Sequence, residues 1–172
     1  MLIHAVDIGA NKELATCGIA ELDSLKMHTL LEGGDDLIGT KTIGGHELRQ
    51  VLAAVQHAAA CGATMVVENP YFSTKFGNPK TFETLIIVRQ RFVDLCTIYK
   101  VPCRVLYPAT WQVILKHVPV GAAVVTKKTE KLTKKQAEWL VSTIYGDRLV
   151  GRTEHERDAV LMGRWWGFTH GT

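Results

Sequence analysis

Leu2-Ile3-His4-Ala5-Val6-Asp7-Ile8-Gly9 is an apolar run that carries one carboxylate near its end and stops at a glycine. Its alternation is only partial, which predicts a strand in the middle of a sheet, and Gly9 closes it into a turn. A charged residue between Val6 and Ile8 is costly there unless something pairs with it. Asp7 is therefore the first candidate for chemistry. The pattern recurs at Ala63-Thr64-Met65-Val66-Val67, a short apolar strand that ends on Glu68 before Asn69-Pro70 forces the chain out of regular structure. Ligands of open α/β sheets bind at the carboxyl ends of strands, so Glu68 becomes the second candidate.

Around these two strands the chain reads as one domain, with no repeat, low-complexity segment or Pro/Ser-rich linker. Leu14 to Leu22 and Lys26 to Leu31 are expected to complete an opening three-strand meander. His46 to Ala60 switches to helical spacing, with Leu48, Val51, Leu52 and Val55 on one stripe and Gly62 as its stop. Thr81 to Tyr99 reads as a long helix, Pro102 to Leu106 as a strand, and Thr110 to Lys116 as a short helix. This alternation implies parallel crossovers. Val118 to Thr126 is expected to be a mobile loop. Two further helices carry capping boxes, Thr133 with Gln136 and Thr153 with Glu156, the last helix starting at about Glu154.

At 172 residues, 47% hydrophobic and 22% charged, the chain is long enough to bury a core and is not a disordered polymer. Its apolar stretches are interrupted, as at Gln56 and His57, and fall short of the roughly 18 residues a membrane span needs. With no basic n-region at the start, a cytoplasmic protein is expected. Cys17, Cys61, Cys96 and Cys103 show no C-x-x-C spacing, which suits buried reduced thiols better than zinc ligands or disulfides.

Charge divides the chain sharply. Residues 1–70 carry a net −5, residues 71–135 a net +9 and residues 136–172 a net −1. The run Lys127, Lys128, Lys131, Lys134, Lys135 lies in the basic part, an asymmetry that points to a polyanionic partner. On the last helix His155 and Asp158 stand three apart and share a face with Met162, while Glu154 is four before Asp158. Each residue has a plainer reading: Asp7 as a turn former, Glu68 bonded to its loop, residues 154–156 as an acidic first turn. Three or four acid and imidazole groups at strand ends and a helix start, beside a basic segment, fit Mg²⁺ or Mn²⁺. Paired ions of this kind promote phosphodiester hydrolysis.

Val6-Asp7-Ile8-Gly9, Val66-Val67-Glu68, Leu106-Tyr107-Pro108 ahead of a helix, and His155-Glu156-Arg157-Asp158-Ala159 together resemble a RuvC-type Holliday junction resolvase of the RNase H superfamily. The resemblance runs from Leu2 to about Trp165. It implies an α/β, RNase H-like fold, with a mixed five-stranded sheet flanked by helices, over residues 1–172. It implies two Mg²⁺ ions, with Mn²⁺ as a substitute, held by Asp7, Glu68, His155 and Asp158. Further implied are a lysine near the scissile phosphate, Lys134 or Lys135, and an aromatic, Tyr71 or Phe72, that stacks at the opened junction. Lys75, Lys80, Lys116, Lys127, Lys128 and Lys131 complete the expected DNA-binding set. The implied partner is branched DNA, a four-way junction, and the implied symmetric cutting calls for a two-fold homodimer, whose interface is expected on the helix Thr81 to Tyr99. The chain departs from the family by a longer stretch between Pro108 and Lys134, and by Glu156 and Arg157 where small residues are common.

Three other functions are compatible with parts of the pattern. An RNase H-superfamily nuclease acting on RNA or an RNA:DNA hybrid keeps the metals and changes the substrate. A non-catalytic junction-binding protein keeps the lysines alone. An actin-like ATPase also uses Asp-x-Gly, but requires two such domains.

Overall fold

The computed structural model describes residues 1–11, 14–71, 78–119 and 129–171, with residues 11 and 129–133 described in backbone only. β1 (Leu2–Asn11) is the middle strand of a sheet whose described strands run in the order β3-β2-β1-β4-β5. β2 (Leu14–Asp23) and β3 (Leu37–Gly44) are antiparallel to their neighbours, whereas β4 (Thr64–Glu68) and β5 (Cys103–Leu106) run parallel. This is the expected α/β, RNase H-like sheet. The apolar run of β1 follows from its place: both faces are covered, so neither has reason to be polar.

α1 (Leu48–Cys61) and α2 (Pro79–Ile98) cover one face. Val6, Ile8, Cys17, Ile19, Met65 and Val67 meet Val51, Val55, Val88 and Phe92 there. The opposite face carries α3 (Pro108–Trp111), a 3₁₀ segment at Gln112–His117, α4 (Thr129–Tyr145) and α5 (Glu154–His170). Ile3, Ala5, Leu22 and Val66 pack against Ile114, Leu140, Val160, Leu161 and Met162. α1 ends as its sequence predicts, with Gly62 left-handed at φ 64° and its amide bonded to Ala58 and Ala59. α2 starts on Pro79 behind an Asn78 cap, two residues earlier than Thr81.

The expected strand over Lys26 to Leu31 is absent. Ser24–Lys26 is a 3₁₀ turn capped by Asp23, and the third strand is Leu37–Gly44 instead. The reason is Arg164 of α5, which is fully buried. Its guanidinium takes the carbonyls of Thr29, Leu30 and Glu32 and pairs with Asp36 at 2.6 Å, so the 29–32 backbone is spent on a side chain rather than a ladder. Tyr145 donates its hydroxyl to the same Asp36 at 2.9 Å.

The predicted start of α4 at Thr133 is corrected as well. The helix already runs at Thr129, and an N-cap needs non-helical backbone, so Thr133 is an interior residue. The expected mobile loop Val118 to Thr126 lies outside the described residues from position 120 onward. Of the cysteines, Cys17 and Cys96 are buried and Cys103 is half-buried, while Cys61 is exposed on the last turn of α1. No described helix is long and apolar enough to cross a membrane.

Candidate active site

Sheet register sets Asp7 beside Glu68. β1 and β4 pair in parallel up to Val6 against Val67, which leaves Asp7 and Glu68 next in line on the face beneath α5. Asp7 is 5% exposed. Its antiparallel partner on β2 is Gly18. A Cβ at Gly18 would overlap the His155 backbone, and one at Gly9 would overlap the His155 ring. Two glycines thus let the first turn of α5 lie directly on the strands. That turn is fixed by the predicted capping box: the Thr153 hydroxyl accepts the Glu156 amide at 3.2 Å, and Glu156 accepts the Thr153 amide at 2.9 Å. Thr42 of β3 lies 3.2 Å from the Thr153 hydroxyl and ties the cap to the sheet. Burial opposes ionisation of Glu156, yet hydrogen bonds from Thr153, Thr40 and Thr42 outweigh it and hold its carboxyl below the usual range.

The consequence is that groups 148 residues apart meet: His155 Nδ1 lies 2.6 Å from Asp7 Oδ2. Glu68 shares a hydrogen bond with Asp7 and accepts a second from the indole N–H of Trp111 at 2.9 Å. Asp158, one turn beyond His155, feels the charges of Glu68 and Glu154. Burial, then the neighbouring acids Asp158 and Glu154, push the Asp7 carboxyl up to about 7 against the hydrogen bond from Glu68. Burial and the proximity of Asp7 push Glu68 up to about 10, with Trp111 and His155 pulling the other way. Burial and Glu68 raise Asp158 to about 7, partly offset by His155 and Arg157. Glu68 therefore keeps its proton at neutral pH, and Asp7 and Asp158 lose theirs only around neutrality, where isolated acids would have lost them long before. A site of this kind accepts positive charge readily.

Lys134 is also drawn in. Its Nζ lies 3.0 Å from Glu154 Oε1, and both residues line an open pocket of about 370 Å³ with Asp158, Trp111, Gln112 and Leu115. Lys135 is half-buried and does not line that pocket. Lys116 is exposed and lines a neighbouring hollow with Gln112 and Gln136. Tyr71, three residues past Glu68, is 76% exposed, and Lys80 is exposed in the first turn of α2. Phe72, Lys75, Lys127 and Lys128 lie outside the described residues, and Lys131 is described in backbone only. Trp111 and Gly18 were not read from the sequence as part of the site. Trp111 sits in the short helix after Pro108, where a lone aromatic carries no signal of a polar role. The Gly18 signal is visible only once its register with Asp7 is known.

No family model and no curated protein matches the chain in sequence. Solved structures do. A Thermus thermophilus RuvC in complex with a Holliday junction substrate superposes with a TM-score of 0.65 at 13% identity, covering 99% of this chain and 96% of that one. A second Thermus thermophilus RuvC structure gives a TM-score of 0.60 at 15% identity, covering 98% and 94%. Across almost its whole length, this chain has the fold of a RuvC-type Holliday junction resolvase.

Proposed function

We propose that the chain is a metal-dependent endonuclease that resolves four-way DNA junctions by paired, symmetric nicks. The observation that carries this reading is the convergence of Asp7, Glu68, His155 and Asp158 under the first turn of α5. Oxygen donors with one imidazole suit Mg²⁺ or Mn²⁺, and the raised carboxyls mark a place where a cation relieves repulsion. The donor types fit the ions that the fold implies, and among the described residues no three of their ligand atoms stand within 4.8 Å of one another, so the side chains must draw in around an ion. Asp7, Glu68, His155 and Asp158 would hold them, and such ions supply Lewis-acid stabilisation of the attacking and leaving oxygens.

The chain's own groups supply the remainder. Trp111 fixes one oxygen of Glu68 by its N–H and so orients the carboxyl group. His155 and Asp7 orient each other. Lys134 is held at the mouth by Glu154, where an incoming phosphate can exchange for the carboxylate as its partner. Exposed Lys80 and Lys116, with the lysines of the basic segment, steer the DNA backbone, and exposed Tyr71 offers a face for base stacking. Symmetric cutting requires two sites, hence a two-fold homodimer. The exposed Ile87 and Ile98 of α2 offer apolar surface for it. A nuclease of this kind works in the DNA-containing cytoplasm.

Junction specificity is supported by fold similarity to a RuvC structure bound to a Holliday junction substrate. The deciding experiment offers a synthetic four-way junction, a plain duplex and an RNA:DNA hybrid to the protein with and without Mg²⁺. Paired nicks on the junction alone, dependent on the ion, are expected. Cutting of the hybrid in preference would reassign the substrate to RNA, and tight binding without product would leave a junction-binding protein.

A further inference from the structure

We propose that His4, Glu21 and His57 form a second cation site, for a transition-metal ion of the Zn²⁺ type, on the sheet face opposite the carboxylate cluster. His4 of β1 and Glu21 of β2 are direct cross-strand partners. His57 of α1 leans over them, and one ligating atom from each residue lies within 4.8 Å of the other two. His57 Nε2 is 3.3 Å from Glu21 Oε1, and the two imidazole rings are tilted by 36° with centroids 5.2 Å apart.

His4 carries the weight here. It is 3% exposed, on a face otherwise filled by Val6, Ile8 and Ile19, where a polar ring stands out. In this structure the groups facing it are another imidazole and a carboxylate. Glu21 also pairs with Lys41 at 3.5 Å, a contact a metal ion would displace.

The donor set decides the ion. Two imidazoles and one carboxylate suit Zn²⁺ and its neighbours rather than Mg²⁺ or Ca²⁺, which prefer oxygen throughout. Bonds of about 2.0 Å in a tetrahedral site set ligand atoms about 3.3 Å apart, so the observed cluster closes by small side-chain rotations. His57 is exposed, so the cluster is reached from the surface. Cys61, one helical turn after His57, brings its Sγ to 3.8 Å from the His57 ring and is exposed. An ion here would pin α1 to the β1–β2 hairpin, independently of the junction chemistry on the other face.

The test uses the whole 172-residue chain, stripped with chelator and titrated with Zn²⁺ in saturating Mg²⁺, followed by isothermal calorimetry and thermal melting. One Zn²⁺ per chain is expected, with a rise in melting temperature of about 5–10 °C at 100-fold excess over Kd. His57→Ala changes an exposed ring, and Glu21→Gln removes the charge while keeping the shape. Each should weaken Zn²⁺ by at least ~10-fold, while Asp7→Asn should leave it unchanged. Equal Zn²⁺ affinity in wild type and His57→Ala would overturn the site. So would loss in His57→Ala with full retention in Glu21→Gln, which would mark a surface His57–Cys61 pair instead.

Discussion

His155 Nδ1 stands 2.6 Å from Asp7 Oδ2, a contact that joins the first turn of the last helix to the central strand. It exists because Gly9 and Gly18 leave no Cβ between helix and sheet. Strand register, helix cap and glycine placement are therefore all parts of one device that positions carboxylates.

The first prediction concerns Asp7→Asn. The substitution keeps the shape and removes the charge that a metal ion needs, so single-turnover junction cleavage should fall by at least ~10³-fold. Binding by gel shift should change by less than about threefold, because lysine–phosphate contacts set it. Cleavage at a wild-type rate would remove Asp7 from the site.

Gly18→Ala tests the close approach. Its new Cβ would meet the backbone of His155 and Glu156, which cannot rotate away as a side chain end would. The helix must lift, at a cost of about 1–3 kcal/mol in denaturant unfolding, and cleavage should fall with it. A variant as stable and active as wild type would show that α5 does not rest on this strand.

Divalent ions and pH should act together on stability. Asp7 and Asp158 hold protons up to about 7 in the fold, far above the ordinary carboxyl value. The folded state thus binds protons that the unfolded state has released, so stability in EDTA should fall as pH rises from about 4 to 7. Mg²⁺ should flatten that slope, and so should Asp7→Asn without metal. Melting curves at pH 5 and pH 8 check this; a slope indifferent to both changes would count against a cation-relieved cluster.

How legible this was in the sequence depends on how local each signal is. β1 and β4 announce themselves as apolar runs broken by Asp7 and Glu68, and α5 by its Thr153–Glu156 box, all within a few residues. Leu37–Gly44 did not: β3 alternates poorly, being half-buried along most of its length. The stretch 29–32 looked strand-like because nothing near it reveals that Arg164, more than 130 residues on, claims its carbonyls. Trp111 was likewise invisible, since an indole reads as core until its N–H is seen to face Glu68.

Arg164 and Asp36 form a fully buried ion pair, and each predicts a large loss when broken alone. Arg164→Met should cost about 3–5 kcal/mol because Asp36 is left charged in the interior. Arg164→Met combined with Asp36→Leu should recover a large part of it, as apolar pairs often replace buried ion pairs without loss. Chemical denaturation of both variants decides; equal instability would place the cost in the freed carbonyls of residues 29–32 rather than in the charge.

Trp111→Phe separates packing from positioning. Trp111 is 2% exposed, so Phe keeps most of the apolar contact and removes the N–H that holds Glu68 at 2.9 Å. That donor favours the ionised carboxylate; without it Glu68 holds its proton to still higher pH. Mg²⁺ binding should weaken by about 10-fold, and the acidic limb of the pH–rate profile should move to higher pH. A purely structural role predicts lower melting temperature with an unshifted profile. The profile, not the stability, therefore tells whether the indole works through Glu68.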